Sequence, residues 1–255
     1  MIKVPKGASG AVSNAFAFGF VLYALAVVAQ TSPPQAESLQ QKVQQMQTAM
    51  AANEQQLHSY QWVESTTLTV KARSIPTKRS LCRYAADGTV VKTALGASAQ
   101  HEPGPRGGPF KHIAEAKKEK IQNEVEQIQS LVQTYLPFNP EKIKEVLRAG
   151  KVFFEHDGTN SDAVILADYA KPGDQLRISL NQTTKQIDRI SIKTYLDGPE
   201  DGVDVDVAVD IRFAILPDGT MYPALMSIEA PSKKLSITTA NSKFSKVNGG
   251  GEHVD

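Results

Sequence analysis

A single cysteine, Cys82, is present among 255 residues, so no internal disulfide can form. In the strand-like run KRSLCRYAADG its expected role is that of a small buried hydrophobe, since no motif supplies the partner base that a thiol nucleophile needs. Net charge is also scarce. The formal balance is +1, and two of the cations, Lys3 and Lys6, stand in the first ten residues, so the chain beyond residue 29 carries −1. A chain so close to neutrality has no electrostatic footprint for nucleic acid. The five histidines (His58, His101, His112, His156, His253) form no i, i+4 pair and no HExxH, and GxSxG, Walker A and GxGxxG are all missing. The expectation is therefore a chain with no catalytic residues, no metal site and no cofactor.

Long apolar runs are nearly absent as well. The one exception, from about Ala15 to Ala29, follows Lys3 and Lys6 and precedes a polar, proline-containing stretch. That order is that of a secretory signal peptide, with cleavage expected after Ala29. The alternative is a retained membrane anchor, and the block is shorter than the roughly 20 residues that span a bilayer. The expected location is the periplasm or the exterior. Residues 30–37 read as a linker, 38–246 as one domain, and 247–255, with its run of glycines, as a flexible tail.

Periodicity then divides the domain. Leu39, Val43, Met46, Met50 and Leu57 follow a helical spacing in which Asn53 occupies an apolar slot. In YQWVESTTLTVKA, Tyr60, Trp62, Leu68 and Val70 share one parity of a long strand. Glu64 falls on that same apolar parity, and it reads either as a cavity mouth or as a strand-end charge reaching solvent. Strands near 78–86 and 90–95 flank Asp87-Gly88, which predicts a two-residue turn. ASAQHEPGPRGGPF reads as a loop. Ile113, Ile121, Val125, Ile128, Val132 and Tyr135 then predict a helix of about 22 residues that ends before Pro137. FNPEKIKEVLRAG predicts a short third helix, with Asn139 as cap, Pro140 at the first position and Gly150 as stop. Strands follow near 151–156, 162–169, 174–181, 186–196, 203–215, 221–230 and 233–244, too closely spaced for helical crossovers, so the sheet is expected to be antiparallel.

VDVDVAVDIRF, from Val203 to Phe213, poses the question of an acidic site most directly. Alternate side chains of a strand share a face, so Val203, Val205, Val207, Val209, Ile211 and Phe213 form one apolar side while Asp204, Asp206 and Asp210 point away. Asp204 and Asp206 lie on one face, but calcium needs six to eight oxygens, and only Glu200-Asp201-Gly202 stands nearby. The aspartates read as the wet side of a strand. Asn181-Gln182-Thr183 matches a glycosylation sequon, yet its place in LNQTTKQ is that of a hairpin turn. Arg106, Lys111, His112, Lys117, Lys118 and Lys120 crowd the start of the second helix. The simpler reading is a solvated helix end balanced by Glu115, Glu119 and Glu124, and the other is a transient contact with an anionic envelope membrane.

The order of these elements resembles the LolA-like superfamily of periplasmic lipoprotein carriers. DQLRISLNQTTKQIDRISIKT is similar to the hairpin where that superfamily often reads W-[IL]-D, here Ile178-Ser179-Leu180-Asn181. YQWVESTTLTVK, RYAADGTVVKTALG and GPRGGPFKHIAEAKKEKIQNEVEQIQSLVQTYL resemble exported bacterial proteins. The resemblance implies an α+β fold: a strongly curved antiparallel half-barrel sheet of about ten strands with three helices packed on its concave side. It also implies a non-enzymatic carrier whose apolar hollow holds lipid or lipoprotein acyl chains. One-sided strands and apolar helix stripes then nominate Trp62, Leu68, Val70, Val207, Val209, Ile211 and Phe213 as pocket residues, under a lid bearing Ile113, Ile121, Val125 and Ile128. The alternative is an envelope interaction scaffold of the same fold, with its hollow filled by its own side chains and no ligand.

Overall fold

The computed structural model describes residues 48, 50–96, 109–156, 158, 160–184, 186–197 and 204–247, with the side chains of 109–118 excepted. The expected leader and linker, the start of the expected opening helix, residues 97–108 with Arg106, and the tail beyond Val247 lie outside the described residues. So do Val203, the Glu200-Asp201-Gly202 turn and the side chains of Lys111, His112, Ile113, Lys117 and Lys118.

Among the described residues eleven strands form one sheet, in the order β4-β3-β1-β11-β10-β9-β8-β7-β6-β5, with β2 off this path, paired to β1. The strands are β1 (Tyr60–Val70), β2 (Arg73–Ser74), β3 (Lys78–Tyr84), β4 (Val90–Ala94), β5 (Val152–His156), β6 (Ser161–Ala167), β7 (Gln175–Asn181), β8 (Ile187–Leu196), β9 (Val205–Ile215), β10 (Met221–Ala230) and β11 (Leu235–Lys246). Every pairing is antiparallel. β4 and β5 are the two edges and do not meet, so the sheet is an open half-barrel. Register shifts between Gln61 and Val63, Ser179 and Leu180, and Pro223 and Leu225 mark irregularities that bend and twist their strands. Pro223 lacks a ladder donor and sits at one of these shifts, where a missing N–H is tolerated.

The strand count exceeds the expected ten through β2. Lys71 and Ala72 adopt positive φ (50° and 61°) and turn the chain back, so that Thr69 pairs with Ser74. The expected two-residue turn at Asp87-Gly88 is instead a loop over residues 85–89. Ala85 N–H donates to the Thr89 carbonyl, and the Asp87 carboxylate accepts from both the amide and the hydroxyl of Thr89. Gly88, at φ 80°, supplies the positive angle within it.

Among the described residues three α-helices accompany the sheet: α1 over residues 50–57, α2 (Pro109–Gln133) and α3 (Pro140–Arg148). α2 begins earlier than the apolar stripe announces and ends at Gln133. α3 carries its expected cap, with the Asn139 side chain accepting from Glu141 N and Lys142 N and Pro140 at the start. β4 lies at one edge of the sheet and β5 at the other, so the chain between them has to traverse the sheet, and α2 and α3 make that crossing.

The concave face is thereby divided. Ile128, Leu131 and Val132 from α2, with Tyr135, Leu136 and Phe138 after its end and with Ile143 and Val146 from α3, pack against Leu176, Ile178, Ile192, Val207 and Val209 in one continuous core. A separate small cluster of Trp62, Cys82 and Val90, joined by Tyr84 and Phe244, lies on the β1–β3–β4 side. Between the two the interior is hollow.

In β9, Val205, Val207, Val209 and Ile211 are buried while Asp204, Asp206 and Arg212 are exposed. Asp210 lies half-buried on the outer face, paired with Arg189 and, at 3.0 Å, with Arg212. No cluster of three or more metal-ligating side chains exists among the described residues. Asn181 is a turn former, its Oδ1 accepting from Thr183 N and Thr184 N. No described helix is long and apolar enough to cross a membrane.

Candidate functional site

The hollow is a cavity of about 950 Å³, toward the upper end of the roughly 300–1,000 Å³ typical of ligand pockets. Its floor is the concave face from β4 to β8, and its roof is α1 and the middle of α2. Met50 and Leu57 of α1 and Ile121 and Val125 of α2 face it from above. Ile190, Ile211, Phe213, Met226 and Ile237 face it from β8 to β11, with Leu136 and Phe138 beside them.

α1 is fastened by the residue that breaks its apolar stripe. Asn53 Nδ2 donates to the Met221 carbonyl (2.7 Å), and Met221 N–H donates to Asn53 Oδ1 (2.6 Å). The Thr220 hydroxyl adds a bond to Gln56 Oε1 at 3.2 Å. These bonds tie the roof helix to the start of β10. The far end of α2 is held by a buried network. Tyr135 OH donates to Asp174 Oδ2 (2.6 Å) and accepts from the Thr194 hydroxyl (2.6 Å). Asp174 also accepts from the amides of Tyr169, Ala170 and Lys171. Burial, and then donation to Asp174, hold the Tyr135 phenol well above its usual pKa.

The wall changes character across the strands. Inward residues of β8 and β9 are aliphatic or aromatic, whereas Thr239 and Asn241 of β11, Glu64 and Thr66 of β1, Lys78 and Ser80 of β3 and Lys92 of β4 all line the cavity. Glu64 does face the hollow, and both its oxygens meet Lys92 Nζ (2.6 and 2.7 Å). The two side chains are only 17% and 12% exposed. An aromatic cluster closes this end: Trp62 stacks on Phe244 (5.7 Å between centroids), with Tyr84 and Tyr222 alongside. Cys82 lies beneath, fully buried, its thiol pushed up to about 11 by burial.

Of the residues nominated from sequence, Trp62, Leu68, Ile211, Phe213, Ile121 and Val125 line the cavity. Val207, Val209 and Ile128 belong to the filled core, and Val70 packs against that core. Lys92, Asn53 and the roof residues Met50 and Leu57 complete the site. The signal for Lys92 was a cation sharing parity with Val90 and Ala94, the counterpart of the Glu64 anomaly.

In the turn between β9 and β10, Asp218 accepts from Tyr60 OH and Thr220 N–H and lies 3.4 Å from Lys246 Nζ. The Tyr60 hydroxyl, first among these partners, holds the Asp218 carboxyl well below the usual range. A folded-state pKa below the unfolded value of about 3.9 gives stability that is complete above that value and is lost as pH falls below it. Urea titrations at pH 7 and pH 3 check this: Asp218→Asn should lose less stability between the two pH values than the wild type does, and equal losses would remove Asp218 from the account.

No family model matches the chain, and no curated protein matches it. Among solved structures, the chain is similar to a LolA superfamily protein from Nitrosomonas europaea (9% identity, TM-score 0.36, covering 80% of this chain and 94% of that one). It is similar to a putative outer membrane lipoprotein-sorting protein domain from Vibrio parahaemolyticus (12% identity, TM-score 0.42, 85% and 95%). A DUF1329 family protein from Desulfovibrio piger ATCC 29098 is similar at 9% identity and TM-score 0.35, covering 79% and 92%.

Proposed function

We propose that the protein is a non-enzymatic binding or carrier protein for lipid or lipoprotein acyl chains, acting in the periplasm or outside the cell. The observation that carries this reading is the roofed hollow of about 950 Å³, with aliphatic walls on β8–β10 and α2. The roof helix is tied by partly buried hydrogen bonds and the filled core by buried ones, and the same helices leave part of the concave face toward β1 unfilled. An acyl chain entering there is favoured by about 0.8 kcal/mol per methylene buried. The scaffold reading draws on the other half of that face, which the chain's own side chains do fill.

Purified protein extracted with organic solvent and examined by mass spectrometry is expected to yield co-purified lipid. It should also bind a neutral naphthylamine dye that oleoyl compounds displace. Lipid-free protein that ignores both dye and oleoyl compounds would favour the scaffold.

A further inference from the structure

The polar half of the wall is not explained by stability. A partly buried ion pair recovers its desolvation only in part, and aliphatic side chains of similar volume are often as stabilising or more so. Trp62 Nε1 and Asn241 Oδ1 are also buried without hydrogen-bond partners in the same wall, and each unpaired group adds a desolvation cost. A hollow shaped for hydrocarbon alone would continue the aliphatic lining of β8 and β9 across β11, β1, β3 and β4.

The charges facing the hollow carry both signs. Lys78, Lys92 and Glu64 project from the strand wall, and Glu54 and Glu126 face them from α1 and α2. Lys92 is already matched by both oxygens of Glu64, and Lys78 lies exposed at the rim. A purely anionic head group would have to sit among three carboxylates, and a neutral one gains nothing from the lysines. A head bearing both a phosphate and an ammonium satisfies each sign. Phosphate on Lys92 and Lys78, with ammonium on Glu64, exchanges the internal bridge for two external ones and strands no buried charge.

We infer that the cavity takes a phospholipid of the phosphoethanolamine class, its head on the Glu64–Lys92–Lys78 wall and its acyl part against Ile211, Phe213 and Val125. This rests on the cavity being a lipid site. Four probes test it by displacement of a neutral naphthylamine dye below micelle-forming concentrations: oleoyl lysophosphatidylethanolamine, oleoyl lysophosphatidylglycerol, monooleoylglycerol and glycerophosphoethanolamine. The expected order is lysophosphatidylethanolamine about tenfold tighter than either other oleoyl compound, with no displacement by the chainless head. In Glu64→Gln, which frees Lys92, lysophosphatidylglycerol should become the tightest. In the double variant Glu64→Gln/Lys92→Gln the affinities of the three oleoyl compounds should converge.

Equal wild-type affinities, a wild-type preference for the phosphatidylglycerol analogue, displacement by the head alone, or an order unmoved by Glu64→Gln would each overturn the head-group assignment. Failure of every oleoyl compound, monooleoylglycerol included, would instead overturn the lipid site itself.

Discussion

Asp174→Ala is expected to lower the unfolding free energy by about 3–5 kcal/mol, because four donors lose their acceptor, two of them buried and two partly buried, and a buried one costs about 1–3 kcal/mol. The four are the amides of Tyr169, Ala170 and Lys171 and the hydroxyl of Tyr135. Asp174 is 2% exposed, so water cannot readily take its place. For a domain of this size the loss corresponds to a fall of roughly 10 °C in Tm. Urea and thermal unfolding measure it, and Asp174→Asn, which keeps one acceptor oxygen, should fall between alanine and wild type. A loss below about 1 kcal/mol would mean that the turn reorganises and that Tyr135 is anchored by Thr194 alone. The substitution bears on the site as well, since Tyr135 fixes the end of the helix whose middle roofs the cavity.

Phe213→Glu should abolish binding of an oleoyl ligand, by a factor of at least about 100, while the far-ultraviolet circular dichroism stays that of the wild type. Phe213 lines the hollow and is only partly buried, next to Ala214 and the exposed Ile215. A carboxylate introduced there can turn to solvent in the empty protein. With an acyl chain in place it would be stripped of water without a counter-ion, at a cost well beyond the several kcal/mol that a hundredfold loss requires. Phe213→Leu keeps the apolar wall and should keep the affinity within about threefold, equivalent to well under 1.4 kcal/mol. Dye displacement reads both variants. Undiminished binding by the glutamate variant would place the acyl chain elsewhere than against β9.

The alternation of β9 could be read directly, because one face meets water and the other does not: every described aspartate of VDVDVAVDIRF points outward. The cap and first residue of α3 could be read from Asn139-Pro140, whose chemistry is local. The partition of the interior could not. Val207 and Val209 share parity and strand with Ile211 and Phe213, yet the first two lie wholly within the packed core, whereas Ile211, buried in that same core, and Phe213 at its margin also border the hollow. That boundary depends on how far α2 reaches across the sheet, a tertiary distance that periodicity does not carry. Glu64 stood out as a carboxylate on an apolar parity, but its partner lies two strands away, and the registers Trp62 to Cys82 and Cys82 to Lys92 are what bring them together. Asn53 stood out in the same way, as a defect in a stripe, and the defect proved to be the fastening.

The two halves of the concave face are served by different side chains. Substitutions at Val207 and Val209 act on whether the chain folds, and those at Phe213 and along the wall from Asn241 to Lys92 act on which guest it accepts. Such separation lets the selectivity of the hollow drift among descendants of one ancestor while the framework that supports it stays under its own, unrelated constraint.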